Sequence, residues 1–377
     1  MRIAQVAPLF ESVPPKLYGG TERVVSYLTE ALVDQGHEVT LFATGDSATR
    51  ARLVAGWPRG LRLDGRSHEH EAPHQQQLAE VVRLRDQFDV IHFHTDFRQA
   101  ELVRRYRIPS ITTLHGRLDL PEMVEAVRDF PELPLVSISH AQRAPVPGAN
   151  WLATVQHGLP RKLFHGQAGR GHYLAFLGRI SPEKRCDRAI EIAKRLNLPL
   201  RIGAKVDPMD QAYYAERIEP LMAHPLVKFV GEIAEREKDE FLGNALALLF
   251  PIDWPEPFGL VMIEAMACGT PVVAFRHGSV PEVLEDGVTG FIVDNIDDAV
   301  AATARCAQLD RRRIRARFEQ RFSADRMAQD YRRVYEQVMR RAAVASTSAI
   351  AGAVATTASA SASSGAGAAA VAAAPHP

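Results

Sequence analysis

Cysteine is scarce. Only Cys186, Cys268 and Cys306 occur in 377 residues, with no C-x-x-C spacing, so neither a zinc site nor a disulfide framework is expected and a reducing cytoplasm is the expected home. Long apolar runs are missing as well. None approaches the roughly 20 residues of a membrane helix, which excludes integral membrane contact. The opening Met1-Arg2-Ile3-Ala4-Gln5-Val6-Ala7-Pro8 is too short an apolar stretch for a signal peptide. Charge of one sign is lacking too. Lys plus Arg and Asp plus Glu stand at 45 each, so no whole-chain field draws this protein to nucleic acid, and any phosphate binding must be local. No obvious basic amphipathic segment favours a membrane-bound substrate.

The length fits two domains, on a soft prior of about 150 residues each. Ile3 to Ala7 reads as a buried strand, Pro14, Pro15, Gly19 and Gly20 as a loop, Val24, Leu28 and Leu32 as one face of a helix, and Glu38 to Thr44 as a second strand. Further short strands at 89–94, 110–114, 135–139 and 152–156 alternate with helices, an α/β pattern with a parallel sheet. A Gly- and Pro-containing segment at 158–171 reads as a linker. A second set of strands then follows at 173–177, 200–203, 227–230, 245–250, 272–275 and 291–293. The expected fold is two doubly wound, Rossmann-like domains, 1–160 and 171–322, facing each other across a cleft at the carboxyl ends of their strands. Ser323 to Arg341 presents Met327, Tyr331, Val334, Tyr335 and Val338 on one helical face. From Ala342 to Pro377 no charged side chain remains, and this tail is expected to be unfolded. Ser67 to His74 reads as a solvated loop.

Chemistry concentrates where Trp254-Pro255-Glu256-Pro257-Phe258-Gly259 precedes an apolar segment of helix formers, Leu260 to Ala267, which Gly269 and Pro271 end. Free N–H groups at Phe258, Gly259 and Leu260 favour an anion there. Glu256 stands before this helix and Glu264 about one turn inside it. Two carboxylates beside an anion make sense if cations neutralise it, and Arg179 and Lys184 follow the strand Tyr173 to Leu177, with Arg185 and Arg188 as competitors nearby. Each feature also has a plain structural reading: surface carboxylates at a helix start, solvated charges at a strand end, glycines that a loop needs for positive φ. His92 and His94 share a strand face with Asp96 beyond. Substrate contact or packing suits them better than a metal site.

Together these elements resemble glycosyltransferase family 4, retaining enzymes of the two-domain GT-B type. The resemblance rests on Glu-x7-Glu at 256 and 264, Gly-Arg-Ile-x4-Lys at 178–184, Gly19-Gly20 before a helix, His115-Gly116 after a strand, and His157-Gly158 leading to Phe164. It runs to about residue 342. It implies transfer of a hexose, glucose as first choice, from a nucleoside diphosphate sugar, UDP as first choice, to a hydroxyl on a small-molecule or glycan acceptor, with no metal or other cofactor. The roles implied are diphosphate stabilisation by Arg179, Lys184 and the amides of Phe258 to Leu260, hexose orientation by Glu256, and ribose contact by Glu264. Gly19, Gly20 and His115 would complete the site from the other domain, and the late helix would return to that domain. His157 stands where relatives often carry Asn, so no catalytic role is carried over to it. The opening stretch from Ala7 through Asp46 is similar to a subgroup that glucosylates a reduced pterin. Competing readings are a sugar-nucleotide epimerase or hydrolase, an inactive nucleotide-binding regulatory protein, and a phosphorylase-like enzyme using pyridoxal phosphate.

Overall fold

The computed structural model describes residues 1–16, 19–65, 70–166 and 171–364, with side chains as far as 344. Its strands form two sheets. β1 Arg2–Val6, β2 Glu38–Thr44, β3 Arg52–Trp57, β4 Val90–Phe93, β5 Ser110–Thr113, β6 Leu135–Ser137 and β7 Trp151–Thr154 lie in the order 3-2-1-4-5-6-7. β8 Tyr173–Arg179, β9 Leu200–Lys205, β10 Val227–Gly231, β11 Ala245–Phe250, β12 Val272–Phe275 and β13 Gly290–Val293 lie in the order 10-9-8-11-12-13. Every pairing is parallel. Helices cover both faces of such sheets, and this is why β11 and β12 read as continuous apolar runs rather than alternating ones. β3 was not among the expected strands. It sits at a sheet edge, carries Arg52 and Gly56, and is only half-buried, so it lacks the signature of its neighbours.

Each sheet winds outward from its first strand, then back past it in the other direction. The order therefore reverses between β1 and β4, and between β8 and β11. Ligands of open parallel sheets bind beyond the carboxyl ends of the strands at such a reversal. The loops after these four strands carry Gly19 and Gly20, His94 to Asp96, Arg179 to Lys184, and Trp254 to Gly259. Topology alone thus brings the sequence motifs to one place.

The chain passes between the sheets twice, and the two passages lie side by side: Leu159 N donates to Phe322 O at 2.8 Å and Ala324 N to Leu159 O at 2.8 Å. Part of the linker expected at 158–171, residues 167–170, falls outside the described residues. The terminal helix, Ala324–Ser364, buries Met327, Tyr331, Val334, Tyr335 and Val338. Tyr335 and Tyr331 bond to side chains of β1, β4 and β5, so this helix does return to the first sheet. It is longer than the expected 323–341, in keeping with the high helix propensity of alanine. Of the tail expected to be unfolded, residues 365–377 lie outside the described residues, and side chains from 345 are not described. None of the described helices is long and apolar enough to cross a membrane.

The histidine-rich run departs from expectation. Residues 66–69 lie outside the described residues, but Glu71–Leu84 is a helix that opens within the expected loop. Pro73 suits its first turn and Gln77, Leu78 and Val81 provide its buried face, a periodicity hidden by the polar start. His74 is buried there and its Nε2 accepts from Leu9 N at 3.0 Å.

Candidate active site

A cavity of about 560 Å³ opens between the two reversals. All ten residues singled out in the sequence line it: Gly19, Gly20 and His115 from the first sheet's side, and Arg179, Lys184, Glu256, Phe258, Gly259, Leu260 and Glu264 from the second's.

The second wall is charged. Its site helix, Leu260–Ala267, starts from Gly259 at φ 77°, a left-handed turn that suits glycine, and a Cβ there would come 2.7 Å from Met262 Cε. Glu256 and Glu264 are both buried, and each already holds a lysine. Lys184 Nζ lies 2.5 Å from Glu256 Oε2, which also accepts from Trp254 Nε1 at 3.0 Å. The ammonium stands 4.4 Å from the centre of the Trp254 ring. Lys238 Nζ lies 2.7 Å from Glu264 Oε1 and 3.1 Å from Glu235, which pairs with Arg23 at 2.5 Å and accepts from Tyr27 Oη at 2.7 Å. Arg23 and Tyr27 belong to the first helix, Gly20–Asp34, so this chain of charges spans the cleft. Arg179 sits among Glu183, Asp210 and Asp207 at 2.5, 3.3 and 3.7 Å. Arg185 and Arg188 turn to Asp253, away from the cavity, which leaves Lys184 as the cation of this motif that meets Glu256.

Around His115 the first wall is neutral, while Glu22, Arg23, Arg62, Asp96 and Arg98 bring ionisable groups to the rest of it. Gly19 and Gly20 owe nothing to positive φ, since neither is left-handed. A Cβ on Gly19 would sit 2.7 Å from that of Pro15, and one on Gly20 would sit 3.6 Å from Leu260 Cδ1 across the cleft, which shows how closely the walls approach. His115 is partly open to the cavity, and burial pushes its pKa down to about 3. Its ring stacks on His157 with centroids 5.3 Å apart, and His157 meets Phe258 edge-on at 4.8 Å. Burial likewise holds His92, His94 and His157 well below the usual histidine range, so all four rings are neutral near pH 7. His92 bonds Tyr335 and Thr113, and His94 bonds Gln5 and His115, so both nitrogens of each ring are occupied by protein. Their shared strand face serves packing and hydrogen bonding.

Several cavity residues escaped the sequence reading. Lys238 and Arg23, joined through Glu235, reach the site only through tertiary approach, and no spacing links them to Glu264. Trp254 stood beside Glu256 in the motif and was legible as a neighbour. Glu22 lines the cavity from the first turn of its helix. Burial raises it to about 7 despite backbone N–H donors and the attraction of Arg62. A Glu three residues after the loop glycine is a signal that could have found it.

Comparison with known proteins bears on the family and the fold. Residues 164–321 match the family described as glycosyl transferases group 1, and residues 18–190 match Glycosyltransferase Family 4. A D-inositol 3-phosphate glycosyltransferase of Kribbella flavida is 27% identical over 350 residues, spanning 76% of this chain and 82% of that protein. The sucrose-phosphate synthase of Thermosynechococcus elongatus superposes with a TM-score of 0.75 at 17% identity, covering 90% of this chain and all 100% of that one. The Anabaena protein HepE, solved with UDP and glucose, gives a TM-score of 0.68 at 20% identity, covering 89% and 100%. The last two establish the shared GT-B fold.

Proposed function

The chain belongs to the family 4 glycosyltransferases, built on the GT-B fold, and from that premise we propose that its cleft transfers a hexose from a nucleoside diphosphate sugar to a hydroxyl acceptor. The observation that carries this reading is the pairing of Glu256 with Lys184 and Glu264 with Lys238 on either side of one helix N-terminus, in a single cavity opposite His115. Carboxylates accept hydrogen bonds from sugar hydroxyls, and lysines and amide N–H groups hold a diphosphate. As the glycosidic bond breaks, negative charge grows on the leaving diphosphate. Lys184, Arg179 and the amides of Phe258 to Leu260 meet that charge with dipoles already in place. Glu256 then orients the hexose and Glu264 the ribose.

Glucose and UDP are the donor parts we assign first, in keeping with the ligands of HepE. Retention of configuration accompanies the family assignment. The cationic side chains and helix terminus provide the charge stabilisation, so turnover should persist in excess chelator. A panel of nucleoside diphosphate sugars, scored by slow hydrolysis and by product identity, tests the proposal. Turnover of one donor is expected. No turnover of any, or epimerisation of the sugar with no release of diphosphate, would overturn it.

A further inference from the structure

Behind His115 runs a chain of buried hydrogen bonds that ends on the terminal helix. Gln5, in the middle of β1, is fully buried, an unusual residue among Ile3, Ala4 and Val6. Its Nε2 donates to Tyr335 Oη at 2.9 Å and its Oε1 faces His94 Nε2 at 2.9 Å. An amide oxygen carries no hydrogen, so His94 must supply the one on Nε2. A neutral His94 then has a bare Nδ1, and this atom lies 2.9 Å from His115 Nε2. His115 must donate in turn. Its own Nδ1 is left as a lone pair on a ring that lines the cavity. The other branch follows the same order: Tyr335 Oη, having accepted from Gln5, donates to His92 Nδ1 at 2.9 Å, and His92 Nε2 donates to Thr113 Oγ1 at 2.7 Å. Turning the Gln5 amide over would reverse every bond in both branches and make His115 Nδ1 a donor.

We propose that Gln5 is a positioning residue for the transfer: pinned by Tyr335, it sets the tautomer of His94 and through it that of His115, so that His115 meets the hexose as a hydrogen-bond acceptor. The ring then selects a sugar hydroxyl over a group that has no hydrogen to give. This rests on the reading of the site only for what the ring meets, since the order of the relay is a property of the protein alone. The device also ties the terminal helix to the chemistry, because Tyr335 holds the amide and passes the same order on to His92.

Nitrogen-15 spectra of the full chain with labelled histidine test it without substrate. His115 should show a protonated Nε2 and a bare Nδ1 near neutral pH. In Gln5→Met, and in Tyr335→Phe as a milder change that leaves Gln5 in place, the ring should become a mixture of tautomers. Turnover in Gln5→Met should fall about tenfold with affinity for UDP unchanged, the loss of one oriented bond on the hexose side. A protonated Nδ1 in the unmodified protein, or an unaltered tautomer in both variants, would overturn the proposal. Equal losses of turnover and UDP affinity would mark general damage and overturn it as well. An ordered ring that scrambles in the variants, in a protein that turns over no nucleotide sugar, would refute the reading of the site and keep the relay.

Discussion

The two walls of the cleft solve different problems. Around His115 the first sheet's wall is a set of neutral rings and hydroxyls, buried and bonded to one another, with positions dictated by which atom carries a hydrogen. The second sheet's wall is made of ion pairs, Lys184 with Glu256 and Lys238 with Glu264, whose partners can be exchanged for those of a ligand. A neutral network costs little to hold dry and moves little. A charged pair in a sheltered cleft is stable only while each charge has a partner, so an incoming diphosphate sugar can replace one partner with another. Orientation therefore belongs to one wall and charge to the other. The chain from Arg23 through Glu235 and Lys238 to Glu264 is one place where they touch.

The comparison breaks most severely if the neutral wall loses its backing. Ending the chain at residue 322 removes Tyr331 and Tyr335, both fully buried, and should abolish cooperative unfolding in a thermal melt. A truncated chain that still melts sharply near the original midpoint would mean that the first sheet does not depend on this helix.

On the charged wall, Lys184→Ala should lower turnover by about a hundredfold or more, the scale of losing one group that stabilises developing charge, and should lower the melting midpoint as well, because the buried Glu256 is left without its cation. Arg179→Ala should act in the same direction but less, because Arg179 is already surrounded by Glu183, Asp207 and Asp210. Steady-state rates at saturating donor decide the ranking, and a larger loss at Arg179 would reassign the principal cation.

Glu22 sharpens the contrast, as a titratable acid set in the neutral wall. Burial lifts it to about 7 from an ordinary 4.5, so between these values the folded protein keeps a proton that the unfolded chain releases. Its contribution is therefore complete below about pH 4.5 and is lost as pH rises through about 7. Glu22→Gln removes that loss. Relative to the unmodified protein, the variant should gain on the order of 3 kcal/mol between about pH 4.5 and 8 in urea unfolding. A difference that does not vary with pH would show that the acid is not held protonated. The smallest effect is expected from deleting 345–377, because the last buried position among the described side chains of the terminal helix is Val338. Turnover and melting midpoint should stay as they were.

Much of this could be read before the structure. β11 and β12 were legible because a strand covered on both faces needs an unbroken apolar run, and Gly269 and Pro271 punctuate the chain between them. β3 was not, because an edge strand with one face in water needs no such run. Glu256, Glu264, Arg179 and Lys184 lie in two short motifs, each within one strand-to-helix connection, so local spacing sufficed. Lys238 was hidden because its helix approaches Glu264 only in the folded chain. Gln5 and Tyr335 are 330 positions apart, and no local pattern reports such a pair. His92 and His94 were seen as a pair on one face, but their partners, and hence their task, came only from tertiary packing, with Tyr335 and Thr113 against His92 and Gln5 and His115 against His94.

The most direct test of the charged wall is calorimetric titration of UDP into Glu256→Gln and Glu264→Gln. Glu256 precedes the site helix and is the carboxylate we assign to the hexose, so its variant should bind UDP as the unmodified protein does while losing turnover of the sugar donor. Glu264 lies within the helix, and its variant should bind UDP about tenfold more weakly, one charge-assisted bond of about 1.5 kcal/mol. Weakened UDP binding in Glu256→Gln with none in Glu264→Gln would contradict the assignment of the two carboxylates.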